Sequence, residues 1–234
     1  MLLLATVAGC KDSDPVDPNS DPTLFPMAAG TYWIYSSQTI DTTGALSGPV
    51  RTDSTVVLST SQALGGRTAS MVATFHISNG TGSDTSAYSS DAHALYAYLP
   101  LNEMLSEGRW IKIIDRNATG RWVAFDTTLA LPLDSTGTIT VGLKLTMEVE
   151  NVGTQSIAVP AGTFNATEYR TTLTTSTSIV GFPITGTVVT HYYQVPELGF
   201  VQIRQDVGHS FNPLDGSVTK SQGNLQQLLR YSIL

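Results

Sequence analysis

Regular alternation of apolar and polar side chains between Thr138 and Glu150 constrains the fold of this chain more than any other feature. The apolar positions are spaced two residues apart: Ile139, Val141, Leu143, Leu145, Met147 and Val149. Successive side chains of a strand point to opposite faces of a sheet. The segment therefore predicts one long antiparallel strand that is apolar on one side only.

Three shorter segments alternate in the same way, and glycine-rich or asparagine-rich turn signals separate them. Their apolar positions are Met71, Ala73, Phe75 and Ile77; Val201 and Ile203; and Leu225, Leu229, Tyr231 and Ile233. The turn signals are Gly65-Gly66, Asn79-Gly80, Asn117 to Gly120, Asn151 to Gly153, Gly181 to Pro183 and Pro213 to Gly216. Only Leu101 to Gly108 favours a short helix.

The chain is low in charge and contains many threonine, serine, valine, tyrosine and glycine residues, which suit pleated surfaces and turns. We therefore predict an all-β fold of roughly ten to twelve antiparallel strands. A large antiparallel sheet of this size becomes strongly curved, and either bends into a half-barrel or splits into a sandwich-like pair of layers. The pattern leaves these two alternatives open.

The first ten residues are an apolar run that ends in small residues and a cysteine, as a signal peptide with its cleavage site does. Val7-Ala8-Gly9-Cys10 resembles the lipobox of bacterial lipoproteins. The resemblance implies that residues 1–9 are a signal peptide and that Cys10, the only cysteine, carries a diacylglycerol anchor. Because no positive charge precedes the apolar run, we expect its true start to lie upstream. The alternative is a truncated signal peptide, or a buried terminal segment, in which the thiol of Cys10 is incidental.

Residues 10–23 contain the lipidated cysteine and an acidic linker rich in proline and aspartate, which has almost nothing to bury. Lys11-Asp12 is similar to the surface-export signal of Bacteroidota lipoproteins, which implies lipid anchoring in the outer membrane, facing either the periplasm or the exterior. Residues 24–234 then form a single β-rich domain. The formal net charge of −7 disfavours nucleic acid as a partner.

Three local motifs resemble those of a family of uncharacterised bacterial envelope lipoproteins built on a domain of unknown function. They are Phe25-Pro26 followed by Gly30-x-x-Trp33-x-Tyr35, then Val159-Pro160-Ala161-Gly162-Thr163-Phe164, and Tyr192-Tyr193 leading to Glu197-Leu198-Gly199-Phe200-Val201. Similar domains resemble Lol-type lipoprotein carriers, whose curved sheets hold acyl chains against a concave apolar face. Each motif also has a structural explanation, since Trp33 and Tyr35 share one strand face and Gly162 and Gly199 suit tight bends.

A search for catalytic and metal-binding patterns finds only weak signals. The four histidines, His76, His93, His191 and His209, have no second histidine or cysteine at metal-ligand spacing. His191 beside Tyr192-Tyr193 fits a hydrogen-bonded strand residue better than a ligand. Gly208-His209-Ser210 lacks the closing glycine of a nucleophile elbow. Glu148 and Glu150 lie on one strand face, where they fit exposed charges better than a glycosidase pair.

These observations favour a non-catalytic protein without a cofactor or a bound metal. We expect it to bind an apolar ligand or a protein partner of the cell envelope on its curved sheet. The alternative is a surface module that binds glycan or peptide through exposed aromatic residues: Trp110, Trp122, Tyr96 and Tyr98. A hydrolase is the third and least favoured interpretation. The burial of the four aromatic rings distinguishes the first two.

Overall fold

The structure is a computed structural model, and it describes residues 24–76, 83–99, 108–132, 140–179, 182–212 and 216–234. Every regular element within these residues is a β-strand, which confirms the predicted all-β class. Residues 1–23, with the proposed signal peptide, Cys10 and the linker, lie outside them. So does the predicted short helix, apart from Gly108.

Fourteen strands make up one antiparallel sheet. They are β1 (Tyr32–Ile40), β2 (Leu46–Leu64), β3 (Arg67–His76), β4 (Ser83–Ser90), β5 (Ala94–Leu99), β6 (Arg109–Asp115), β7 (Gly120–Pro132), β8 (Thr140–Val159), β9 (Gly162–Ile179), β10 (Phe182–Val195), β11 (Gly199–Gln205), β12 (Gly208–Asn212), β13 (Ser217–Ser221) and β14 (Gly223–Ser232). The count exceeds the prediction because β12 and β13 form a small hairpin that pairs with β10.

The sheet curves until its two edge strands come together. Its strand order is β6-β5-β4-β3-β2-β1-β14-β11-β10-β9-β8-β7, so the edges are β6 and β7, which follow one another in the chain. The indole Nε1 of Trp122 on β7 donates a hydrogen bond to the Lys112 carbonyl on β6 at 3.2 Å. The sheet is therefore nearly closed into a barrel, and the two-layer sandwich is wrong.

The long predicted strand is present but extends further than its sequence pattern indicates. β8 runs from Thr140 to Val159, and its apolar face points inward: Val149 is fully buried, and Met147 lines the interior. The predicted turn at Asn151 to Gly153 is wrong, because these residues form a bulge within β8. Gly153 has a φ of +118°, which lets the strand bend without ending.

Two of the shorter alternating segments are oriented, wholly or in part, opposite to what the sequence indicates. On β3 the residues that face the interior are Val72 and Thr74, whereas Phe75 is exposed. In the first part of β14 Gln226 faces the interior and Leu228 is fully buried, so Leu225 lies on the other side. A register shift at Leu229 ends this reversal, and Ile233 packs against the core as predicted. The physical reason is that part of the barrel interior is polar, so the apolar side of a strand is not always its inner side. β11 has the predicted orientation, with Val201 buried.

Candidate ligand-binding cavity

A cavity of about 400 Å³ lies inside the barrel. Side chains from most strands of the sheet form its wall: Phe25, Trp33, Tyr35, Thr55, Val72, Thr74, Ser86, Tyr88, Ala97, Leu99, Ile111, Ile113, Met147, Thr171, Tyr192, Phe200, Ile203 and Gln226. The wall is mainly aliphatic and aromatic, with a few hydroxyl groups. This composition and this volume fall in the range of pockets that bind small apolar molecules.

An aromatic cluster closes one end of the cavity. The ring of Phe25 lies 5.3 Å from that of Trp33 and 5.0 Å from that of Phe200, and Tyr192 lies 5.2 Å from Phe200. Trp33 Nε1 donates a hydrogen bond to the Leu198 carbonyl at 2.6 Å. The two residues at the entry to the domain, Leu24 and Phe25, are buried at this end of the barrel, and we call them the plug.

Buried polar contacts hold this plug in place. Leu24 is fully buried, and its carbonyl accepts a hydrogen bond of 2.6 Å from Nε2 of Gln194, itself only 1% exposed. Thr31, also fully buried, accepts a hydrogen bond from the backbone N–H of Leu234 through its hydroxyl oxygen. A buried amide without a partner would be costly, so Gln194 fixes the position of the plug as well as filling space.

Three tyrosines add hydroxyl groups to this mainly apolar wall. Burial raises the pKa of Tyr35, Tyr88 and Tyr192 above the ordinary value of tyrosine, to about 12 for Tyr192. Tyr35 donates a hydrogen bond to the Phe200 carbonyl at 2.9 Å. All three rings therefore stay neutral near pH 7 and offer an apolar surface with a small number of polar points.

The three motifs singled out in the sequence meet at this closed end. Trp33 and Tyr35 lie on one face of β1, as predicted, and touch the carbonyls of Leu198 and Phe200. The turn that contains Gly162 docks on β14, because the N–H of Ala161 donates to the Leu228 carbonyl at 3.0 Å. Five motif residues line the cavity itself: Phe25, Trp33, Tyr35, Tyr192 and Phe200.

The charged residues considered in the sequence lie on the outer face of the sheet. Glu148 and Glu150 pair with Arg121, and Glu150 also pairs with Arg170. These carboxylates therefore act as cross-strand ion pairs on the outside of β7, β8 and β9. Hydrogen bonding and charge from Arg170 and then Arg121 lower the pKa of Glu150.

His191 lies on the same outer face, as a hydrogen-bonded strand histidine. Its Nδ1 lies 2.8 Å from Oε1 of Glu168 and its Nε2 lies 3.1 Å from Oδ2 of Asp206. Arg204 donates to the other oxygen of Asp206 at 2.8 Å, and Gln155 donates to Glu168 at 2.7 Å. The network leaves neither ring nitrogen of His191 facing the cavity.

The remaining histidines have separate positions. Gly208-His209-Ser210 lies within β12, a strand paired on both sides, without the strand-to-helix turn that exposes a nucleophilic serine. The backbone N–H of His93 donates to Asp91 in the turn before β5. His76 contacts Asp53 and Asp84. Within the described ranges no group of three or more His, Cys, Asp or Glu residues could hold a metal ion.

The four aromatic residues of the alternative interpretation are all half-buried and have partners within the protein. Trp110 donates to the Leu64 carbonyl at 2.9 Å and stacks edge-on against Tyr98. Trp122 bridges the edge strands, and Arg67 lies 3.6 Å above the ring of Tyr96. Their geometry is that of structural residues, which weakens the case for a surface that binds glycan or peptide.

The polar residues of the cavity wall are the part of the site that sequence reasoning missed. Thr55, Thr74, Ser86, Thr171 and Gln226 occupy inward positions on their strands. The signal was present as threonine and serine at alternate positions of strands, but the same residues are ordinary on solvent faces.

Within the residues that the structure covers, no helix has the length and hydrophobicity needed to cross a bilayer.

Comparison with known proteins finds similarity in structure alone. A candidate lipoprotein from Parabacteroides distasonis is 14% identical with a TM-score of 0.53, and the match covers 92% of this chain and 100% of the other. A candidate exported protein with a YmcC-like fold from Bacteroides fragilis is 12% identical with a TM-score of 0.42, over 90% of this chain and 99% of the other. No protein-family model and no curated protein sequence matches. The chain therefore shares its fold with the Parabacteroides protein over nearly its whole length.

Proposed function

We propose that this protein is a lipid-anchored lipoprotein of the bacterial cell envelope that binds an apolar or amphiphilic molecule inside its barrel. The observation that carries the binding proposal is the cavity, whose wall combines aliphatic and aromatic side chains with the neutral tyrosines Tyr35, Tyr88 and Tyr192. Burial of an apolar chain there would release water from both surfaces, which is the main source of affinity in such pockets.

The anchoring proposal rests on the lipobox tetrad that ends at Cys10. The similar structure from Parabacteroides is described as a candidate lipoprotein, which supports location in the envelope. The similarity of Lys11-Asp12 to the surface-export signal of Bacteroidota lipoproteins supports the proposal of outer-membrane sorting. A diacylglycerol supplies the two acyl chains that stable membrane attachment requires.

We also propose that the bound molecule is held rather than converted. Glu150, Glu168 and His191 sit in ion-pair networks on the outer face, with the sheet between them and the cavity. Asp53 and His76 face the barrel interior, but they pair with each other and do not line the cavity. The cavity wall itself contributes hydroxyl and amide groups, and its tyrosines have pKa values raised by burial. These groups suit hydrogen bonding to a ligand better than proton transfer near pH 7.

The test fills the cavity without disturbing the sheet. Ala97 lines the cavity on β5, and Ala97→Phe would place a ring into the empty volume. We expect native mass spectrometry to show co-purifying apolar molecules on the unchanged protein, and titration with a hydrophobic dye to saturate. Ala97→Phe should weaken dye binding at least about tenfold, because it occupies the space that the dye needs.

The control is Ala158→Phe, which adds the same ring at an exposed position of β8. It should bind the dye as the unchanged protein does. An unchanged protein that carries no ligand and binds no dye would overturn the binding proposal. So would equal dye binding by both variants, because the dye would then be bound on the surface.

A further inference from the structure

A second, polar chamber continues the barrel interior beyond the apolar cavity. Its volume is about 350 Å³, and its wall contains Ser37, Thr39, Pro49, Arg51, Asp53, His76, Gln222, Gly223, Asn224 and Gln226. Gln226 lines both spaces, so its side chain lies at the boundary between them. The two chambers are adjacent parts of one interior.

Strand alternation shows that the polar chamber lies along the same inner faces as the apolar one. On β1 the inward residues run from Tyr35 in the apolar cavity to Thr39 in the polar chamber. On β2 they run from Thr55 through Asp53 to Arg51. Four residues of extended strand span about 13 Å, so an elongated molecule could occupy both chambers at once.

Internal pairing compensates the buried charge in the polar chamber. Asp53 is 4% exposed, and its Oδ1 lies 3.0 Å from Nδ1 of His76. Nε2 of His76 lies 3.3 Å from Oδ2 of Asp84. Hydrogen bonds with Asp53 and then with Asp84 raise the pKa of His76, which suits a ring with a proton on both nitrogens. The charge of Asp53 is therefore compensated within the protein, which leaves the exposed Arg51 as the charged group of this wall that a ligand can reach.

The other side chains of the wall are mostly neutral hydrogen-bonding groups. The Ser37 hydroxyl donates to Oδ1 of Asn224 at 3.1 Å, so the NH2 group of the Asn224 amide takes no part in this hydrogen bond. Thr39, Gln222 and Gln226 add a hydroxyl and two amides. The guanidinium of Arg51 is exposed at the rim and makes no ion pair within the described part of the chain.

We infer that the polar chamber binds the polyhydroxylated head, a sugar or glycerol unit, of an amphiphile whose apolar chain lies in the adjacent cavity. This inference rests on the proposed function. A hydroxyl donates one hydrogen bond and accepts others, which matches a wall of amides and hydroxyls better than a carboxylate or an ammonium group does. Arg51 can donate to hydroxyl oxygens at the rim.

The test uses three probes that share an eight-carbon chain, so that only the head differs: octyl β-glucoside, octanoate and 1-octanol. Titrations are made below micelle formation with the full chain carrying Cys10→Ala. We expect octyl glucoside to bind at least about tenfold more tightly than 1-octanol, the gain expected from two net hydrogen bonds. Octanoate should bind no more tightly than 1-octanol.

Two variants assign the effect to the polar chamber. Asn224→Ala and Arg51→Gln should each reduce the preference for octyl glucoside severalfold and leave 1-octanol binding unchanged. The control for Asn224→Ala is Gln227→Ala, because the Gln227 side chain lies on the outer face of β14 and its amide bonds to Gln202 of β11. The control for Arg51→Gln is Arg109→Gln, because Arg109 is exposed on β6 and belongs to neither wall. Both controls should keep the preference.

Each other outcome has a definite meaning. Equal binding of octyl glucoside and 1-octanol, or tightest binding of octanoate, would overturn the head-group inference while leaving the apolar cavity as a binding site. Failure of all three probes to bind would instead overturn the proposed function. If a variant does not fold, the comparison of the three probes on the protein without that variant still decides the question.

Discussion

Gly199 lies against Phe25 of the plug, at a position where no side chain fits. Its φ of +100° lies in the left-handed region. A Cβ at this position would lie 3.0 Å from the ring of Phe25 and 3.3 Å from Nε1 of Trp33. Trp33 already donates to the carbonyl of the preceding residue, Leu198. The backbone conformation and the close approach of two rings therefore both require glycine.

We predict that Gly199→Ala lowers the free energy of unfolding by about 2–4 kcal/mol, from left-handed strain plus overpacking. The matched control is Gly66→Ala in the β2–β3 turn, where φ is +78° but no atom lies within 4 Å of the added Cβ. It should cost about 1–2 kcal/mol, from backbone strain alone. Urea unfolding monitored by tryptophan fluorescence measures both. An equal loss in the two variants would show that the plug yields to the extra methyl group.

At the scale of strands, opposite charges alternate across the outer face of β7, β8 and β9. Arg121, Glu150 and Arg170 occupy neighbouring positions in the strand registers and form a chain of ion pairs. The guanidinium of Arg170, and then that of Arg121, hold the pKa of Glu150 below its usual range. A carboxyl with a lowered pKa in the folded state stabilises that state above its unfolded pKa, and the contribution is lost as the pH falls through the folded value.

We therefore predict that Glu150→Gln makes the acid side of the stability profile shallower. The urea midpoint of the unchanged protein should fall between about pH 5 and pH 2 by more than that of the variant. Near pH 7 the variant should be the less stable of the two. Asp126→Asn is the control, because Asp126 pairs with Lys144 across a longer 3.5 Å contact between exposed side chains. Parallel profiles for Glu150→Gln and the unchanged protein would contradict the role assigned to the ion pairs.

The strands also show how far the sequence alone determines the fold. Alternation identified β8 and β11 and their inner faces, since Met147, Val149 and Val201 are apolar and lie inside. The same pattern gave the wrong face for β3 and for the first part of β14, before its register shift at Leu229. There Thr74, His76 and Gln226 face a partly polar interior, and a single strand carries no signal that distinguishes this interior from solvent. The polar chamber depends on residues distant in the chain, so only the folded sheet brings it together.

At the scale of the whole molecule, the chain entry and the chain end meet near the closed end of the barrel. Phe25 packs against Trp33 and Phe200, and the N–H of Leu234 donates a hydrogen bond to the Thr31 hydroxyl oxygen. A sheet that is nearly closed has few ways to exclude water from its open ends. The plug supplies one such closure, and its first residue, Leu24, is fully buried. That the folded domain begins at about residue 24 stays a prediction from the sequence.

The last prediction tests this closure by moving the start of the chain. A chain that begins at Thr23 should melt cooperatively at the same temperature as the full chain, because the sequence predicts that residues 1–22 are a signal peptide and a polar linker with almost nothing to bury. A chain that begins at Ala28 lacks the two buried side chains of the plug, Leu24 and Phe25, and should lose about 3–6 kcal/mol of stability, since each contributes about 1.5–3 kcal/mol. Leu24→Ala in the chain that starts at Thr23 is the matched variant and should lose about 2–5 kcal/mol. Circular dichroism during heating measures the melting temperature, and urea unfolding measures the loss in the free energy of unfolding. If the chain starting at Ala28 were as stable as the one starting at Thr23, the plug would not close the barrel, and the aromatic cluster of Trp33 and Phe200 would have to exclude water without it.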